Sequence, residues 1–120
     1  MYRREGIRTN YIGNRELRGE LKCVIISNVG VNIPGWIKDK SLAPRYSDVQ
    51  DIKSGRITWE QFRDNYYEFI LNKHNPKDVY EKYSGWYLLC CEKDHTFCHR
   101  TILAKWLESN GFEAKEGLFN

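Results

Sequence analysis

No apolar stretch in this chain approaches the roughly 20 residues that a membrane-spanning helix needs. Its charged start lacks the apolar core of a signal peptide, so a cytoplasmic location with no membrane partner is expected. A Gly-rich phosphate loop, a catalytic serine motif and a recognisable nucleic-acid module are all missing, which excludes function by those familiar routes. Repeats and low-complexity segments are absent too. The 120 residues fit one domain, 1–120, that can bury an ordinary core without disulfide or metal staples. Basic excess is small: net charge is +3, with Arg3, Arg4, Arg8, Arg15, Arg18 and Lys22 near the start set against Glu5, Glu16 and Glu20. That is a mild bias, not a polybasic arm. What the chain does have is aromatic side chains, at 14% of residues, suited to packing and to planar ligands.

Residues 1–20 show no clean periodicity and read as an irregular N-terminal extension, with a turn or short edge strand around Tyr11-Ile12-Gly13-Asn14. Residues 21–27, LKCVIIS, are apolar without alternation, as in a strand covered on both faces. The run breaks at Asn28-Val29-Gly30, leaving Ser27 and Asn28 at its carboxyl end. Residues 32–44 read as a loop holding Trp36, and a short helix over 46–54 stops at Gly55. Thr58 then offers an N-cap, Gln61 completes a capping box, and Ile57 is placed to staple against Phe62. Trp59, Phe62, Tyr66, Phe69 and Ile70 recur at helical spacing, which predicts a helix over residues 59 to about 72. Pro76 opens another short helix, 76–83. Gly85 precedes a strand over 86–91, and a last helix carries Ile102, Leu103, Trp106 and Leu107 on one face before ending at Asn110-Gly111. Residues 112–116 suggest a final short strand. Together these elements predict an α/β fold, a small Rossmann-like layered sandwich with a largely parallel sheet flanked by helices.

Ligands in such sheets sit beyond the carboxyl ends of the strands. Ser27-Asn28 and Cys90-Cys91-Glu92-Lys93 both fall there. Reactive groups concentrate in residues 87–107, YLLCCEKDHTFCHRTILAKWL, where a strand runs into a helix opening with Cys98-His99-Arg100. Cys98 at a helix start would feel the positive end of the dipole and the neighbouring His99 and Arg100, which favour thiolate; it could equally be a small packing residue. Arg100 in a first helical turn opposes that dipole, so it should have an anion to meet, either a ligand phosphate or Glu92. Glu92, if buried past the strand, could act as a general acid or base, or pair with Arg100 or Lys93. Cys90 and Cys91 alternate across the strand, so at most one faces a given pocket. Lys93, Asp94 and His95 read as solvated loop.

The four cysteines are Cys23, Cys90, Cys91 and Cys98. The first three sit in strand-like runs, and in a reducing compartment they read as thiols. A zinc site drawn from Cys90, Cys91, His95, Cys98 and His99 lacks the paired short knuckles of structural zinc motifs, so no metal and no cofactor is expected. A phosphatase-type loop fails on spacing, since Cys90 and Cys91 lie too far before Arg100 and Cys98 too close.

Several segments together resemble the family called domain of unknown function 488: Ile26-Ser27-Asn28, Trp36, Leu42-Ala43-Pro44, the stretch KSGRITWE over residues 53–60, and above all LLCCEKD followed by CHR. The resemblance covers residues 22–116. It implies a small α/β protein of bacteria, archaea or their viruses, in a family without a firmly assigned activity. By position it marks Cys90, Glu92, Cys98, His99 and Arg100 as motif residues, with Ser27 and Asn28 opposite them. Cys91 departs from the family's pattern, where a small residue such as Ala is common.

The leading expectation is a protein that binds a small anionic ligand, a nucleotide or nucleic-acid-derived group. Ser27, Asn28, Cys90, His99, Arg100 and helix amides would hold it, Trp36 would stack on it, and Glu92 or Cys98 would act on it. One alternative is a nucleic-acid-binding or processing accessory protein that uses the basic N-terminal segment. The other is a thiol redox protein with Cys90 and Cys98 as its pair.

Overall fold

The computed structural model describes residues 4–28 and 32–120. Arg3 of the basic segment and Val29-Gly30 of the expected chain break therefore lie outside the described residues. Five strands, β1 (Ile7–Tyr11), β2 (Cys23–Ile25), β3 (Ile37–Lys38), β4 (Tyr87–Cys90) and β5 (Ala114–Glu116), form one sheet in the order β3-β2-β4-β1-β5. Every pairing is parallel, with Val24 and Thr9 both in register with Leu88. The helices are α1 (Tyr46–Lys53), α2 (Trp59–Phe69), α3 (Pro76–Tyr83) and α4 (His99–Ser109). The α/β, Rossmann-like class expected from the patterning is the observed one.

Local chemistry sets most helix ends where the sequence placed them. Thr58 Oγ1 accepts from the Gln61 amide at 3.1 Å and Gln61 Oε1 from the Thr58 amide at 2.8 Å, the reciprocal capping box. Pro76 occupies the first turn of α3. Gly55 and Gly111 take positive φ just past α1 and α4, where a side chain would be strained. The helix expected over 59–72 tightens after Phe69 into a 3-10 turn, Leu71–Lys73.

The N-terminal segment needs correction. Instead of forming an irregular extension, it supplies β1, which lies inside the sheet between β4 and β5. Its apolar signal is weak because Thr9 and Asn10 are buried polar residues. They are satisfied from the far end of the chain: Thr9 Oγ1 donates to Glu116 Oε1 at 2.7 Å, and Asn10 Nδ2 donates to the Gly117 carbonyl at 2.8 Å. The loop assigned to 32–44 likewise contains the edge strand β3.

The two faces of the sheet are covered differently. On one, Ile7, Val24, Ile26 and Leu88 pack against residues from all four helices, including Phe62, Tyr66, Val79, Leu103 and Leu107. On the other, Leu17, Cys23, Tyr87 and Leu89 are capped by Ile12, Trp36 and Phe119, which come from loops and the chain end. Helix α1 is held to α2 by the buried Asp48 carboxylate, which accepts from Arg45 at 2.9 and 3.1 Å and from Asn65 at 3.0 Å. That clamp fixes the wall of the cleft described next.

Candidate functional site

Strands β2 and β4 lie side by side, and their carboxyl ends open into a cleft of about 300 Å³. Ser27 and Asn28 come from the end of β2, Cys90 to Glu92 from the end of β4, and Cys98-His99 from the start of α4. Six of the residues expected at a site (Ser27, Asn28, Cys90, Glu92, Cys98 and His99) thus line one hollow. Its walls are Tyr46, Val49 and Lys53 of α1, Trp59 and Phe62 of α2, and Phe97. Trp59 stacks on Phe62 at 5.3 Å and meets Phe97 edge-on at 5.5 Å. Phe97 is 63% exposed, an apolar ring held at the rim of a cleft.

Trp36 is not there. Its indole packs on the opposite face of the sheet and its Nε1 donates to the Glu20 carbonyl at 2.9 Å. The aromatic groups of the cleft are ones the periodicity assigned to packing, such as Trp59, or did not single out, such as Tyr46 and Phe97. Helical spacing signals a buried face, and a cleft wall has the same spacing.

Arg100 is fully buried beneath the cleft. Its Nε donates to Glu116 Oε1 and its Nη2 to Glu116 Oε2, each at 3.0 Å. Nη1 donates to Cys90 Sγ at 2.9 Å and to the Glu92 carbonyl, and lies 3.6 Å from Cys98 Sγ; Nη2 also reaches the Lys93 carbonyl at 3.3 Å. The anion that Arg100 meets is Glu116 and not the Glu92 side chain, and every guanidinium N–H has a protein acceptor. Glu92 is exposed and gives Arg100 its backbone oxygen only.

The sulfurs of Cys90 and Cys98 are brought together on the cleft floor, close enough to pair. Strand end and helix cap bring together two cysteines that the sequence separates by eight positions. Cys91, just past the strand, also lines the cleft at its exposed edge, so both neighbours reach one pocket where at most one was expected, because the strand ends at Cys90 and its alternation stops there; burial pushes the Cys23 thiol up to about 12.

His99 is buried with its Nε2 2.5 Å from the Ile26 carbonyl. Burial is the main reason its pKa falls to about 4; the Ile26 bond opposes the shift and the Arg100 charge adds to it. The ring is therefore neutral near pH 7, with the proton on Nε2, facing the carbonyl. Its Nδ1 lone pair then points toward Cys98 Sγ, 3.8 Å away. Among the described residues Ser27 Oγ is the one buried side-chain oxygen or nitrogen with no hydrogen-bond partner, and Ser27 lines the cleft. Asn28 is tied to the Pro44 carbonyl through Nδ2 at 2.8 Å. Cys90, Cys98 and His99 also place their ligand atoms within 4.8 Å of one another.

Two outcomes follow. Glu116→Ala strands a buried guanidinium and should cost about 2–4 kcal/mol, below the usual cost of breaking a buried pair because Glu116 is part-exposed. The double variant Arg100→Met, Glu116→Leu should recover at least half of that loss in urea denaturation; a Glu116→Ala change under about 0.5 kcal/mol would show that the pair is not the balancing charge. Separately, His99 takes up its proton at a lower pH folded than unfolded, so unfolding is favoured as pH falls from about 6.5 to 4 and stability is restored as pH rises. Wild type should lose on the order of 3 kcal/mol relative to His99→Gln across that window. Parallel stability curves for the two proteins would contradict a neutral buried His99.

No curated protein and no solved structure matches the chain. A family model does: the one described as the active DUF488-N3 subclade matches residues 9–111. That stretch runs from β1 through the cleft and past the end of α4, and on it the chain belongs to the DUF488 family, the one its motifs resemble.

Proposed function

We propose that the cleft binds a small anionic ligand with a flat ring system, a nucleotide or nucleic-acid-derived group, and that the cysteine–histidine floor acts on it. The observation that carries this reading is the make-up of the hollow: aromatic walls stand over a floor of two sulfurs and a neutral imidazole, and the unpartnered Ser27 hydroxyl lines the same space. Its volume, about 300 Å³, suits a ligand of mononucleotide size. Trp59 and Phe97 offer ring faces and edges to a base. With Arg100 committed to Glu116, the groups left to meet negative charge are Lys53 and the first-turn amides of α4.

Chemistry at the floor starts from the reduced pair. A dithiol reductant supplies two electrons and two protons and opens any Cys90–Cys98 bond. Cys98 then gives up its proton to solvent in the cleft, and the thiolate, facing an Arg100 N–H and the neutral His99 ring, is the nucleophile. Arg100 is a positioning residue here, acting through the sulfurs.

Titration of the protein with AMP and GMP, followed by tryptophan fluorescence, tests binding. Quenching that saturates, and that Phe97→Ala weakens about tenfold, is expected from a lost base–aromatic contact. Unchanged affinity in Phe97→Ala, or no quenching by any mononucleotide, would sink the reading. If single-stranded oligonucleotides bind instead, with affinity collapsing between low and moderate salt, the accessory nucleic-acid role takes its place.

A thiol redox role is the second reading, favoured by the meeting of the Cys90 and Cys98 sulfurs on the cleft floor. Alkylation of reduced protein should then show Cys98 reacting with a midpoint well below pH 8.5. Reaction only above about pH 8.5, the free-thiol value, removes this reading.

A further inference from the structure

We propose that the reduced floor of the cleft is a mononuclear site for a zinc-class divalent cation, held by Cys90 Sγ, Cys98 Sγ and His99 Nδ1, with the fourth position open to whatever occupies the cleft. The inference rests on the cleft reading only for that occupant, and it moves the chemistry from sulfur to metal.

The donor set is two soft sulfurs and one imidazole, all within 4.8 Å, the combination that zinc selects over harder cations. Nδ1 of His99 lies 3.8 Å from Cys98 Sγ. Two such ligands on one tetrahedral zinc stand about 3.5 Å apart, from bond lengths of about 2.3 and 2.0 Å. The surroundings are those of a ligand shell. Nε2–H of His99 is held by the Ile26 carbonyl, which aims Nδ1 at the sulfurs, as the outer nitrogen of metal-bound histidines usually is held. Arg100 directs Nη1 at Cys90 Sγ from 2.9 Å and lies 3.6 Å from Cys98 Sγ, which suits thiolates that share their charge with a cation. Its own charge is matched by Glu116, so a divalent ion with two thiolates adds no net charge to the buried site.

Loading is chemically balanced. A dithiol reductant donates two electrons and two protons to open any Cys90–Cys98 bond, and the cation displaces both protons from the thiols. The sulfurs must then part to about 3.8 Å, the edge of a zinc–thiolate tetrahedron; their Cα atoms, 7.7 Å apart, leave room for it. Among the described residues no other His, Cys, Asp or Glu joins this cluster, so the tetrahedron is completed from the cleft. An open fourth position is the mark of a catalytic zinc site, and the cleft it opens into is also lined by the unpartnered Ser27 hydroxyl.

The test uses Co²⁺ alone as the probe, on protein reduced anaerobically and freed of reductant. One equivalent should give thiolate-to-cobalt bands in the near ultraviolet and intense visible bands of a tetrahedral ion, both bleached by Zn²⁺. Cys90→Ser, Cys98→Ser and His99→Gln should each lose at least tenfold in affinity, whereas Cys91→Ser and His95→Ala should keep the spectrum. Wild type without these bands, or bands lost in Cys91→Ser or His95→Ala and kept in Cys98→Ser, overturns the site. Since a ligand variant can unfold, alkylation mapping of wild type is the second readout: Zn²⁺ must protect Cys90 and Cys98 while Cys91 reacts, and equal labelling of all three refutes the proposal. Nucleotide quenching measured on metal-free protein keeps the two readings apart, since cobalt uptake without quenching removes only the nucleotide ligand, and quenching without cobalt uptake removes only the metal.

Discussion

A fully buried guanidinium organises this protein. Charge removed from water costs several kcal/mol unless paired and hydrogen-bonded, and Arg100 achieves both through the Glu116 carboxylate, two backbone carbonyls and a cysteine sulfur. Those partners come from the end of β4, the loop after it and β5, while Arg100 itself sits in the first turn of α4. One side chain therefore fixes where strand end, loop and helix start lie relative to one another. The same carboxylate accepts from Thr9, which extends the network into β1.

This arrangement decides what the cleft can do. A cation in the first turn of a helix opposes the helix dipole, and a ligand phosphate could have relieved that opposition. Here Glu116 relieves it, and the guanidinium also reaches the Cys90 and Cys98 sulfurs. The polar character of the cleft then rests on a neutral histidine, an unpartnered serine and Lys53, set among aromatic rings.

Much of the scaffold was legible because its signals are local. Thr58 and Gln61 cap α2 through groups three residues apart, Pro76 presets the first turn of α3, and the continuous apolar runs at 23–26 and 87–90 declare strands covered on both faces. Strand β1 was hidden because it buries Thr9 and Asn10, whose side-chain donors find their acceptors more than a hundred positions away. The cleft floor was legible as well, since strand ends and a helix start are where an α/β sheet gathers reactive groups. Its walls were not. Trp36 and Trp59 look alike in sequence, yet one caps the face of the sheet opposite the helices and the other lines the cleft.

By itself, the sequence determined the fold class, most helix boundaries and the residues of the cleft floor, because periodicity, caps and strand ends are properties of neighbouring residues. Only the tertiary structure decided that Arg100 meets Glu116, that Cys90 faces Cys98 while Cys91 faces solvent, and that His99 is held neutral against Ile26. Those outcomes depend on which distant groups are buried together, and the energies of buried charge and hydrogen bonding are set by that company, not by position along the chain.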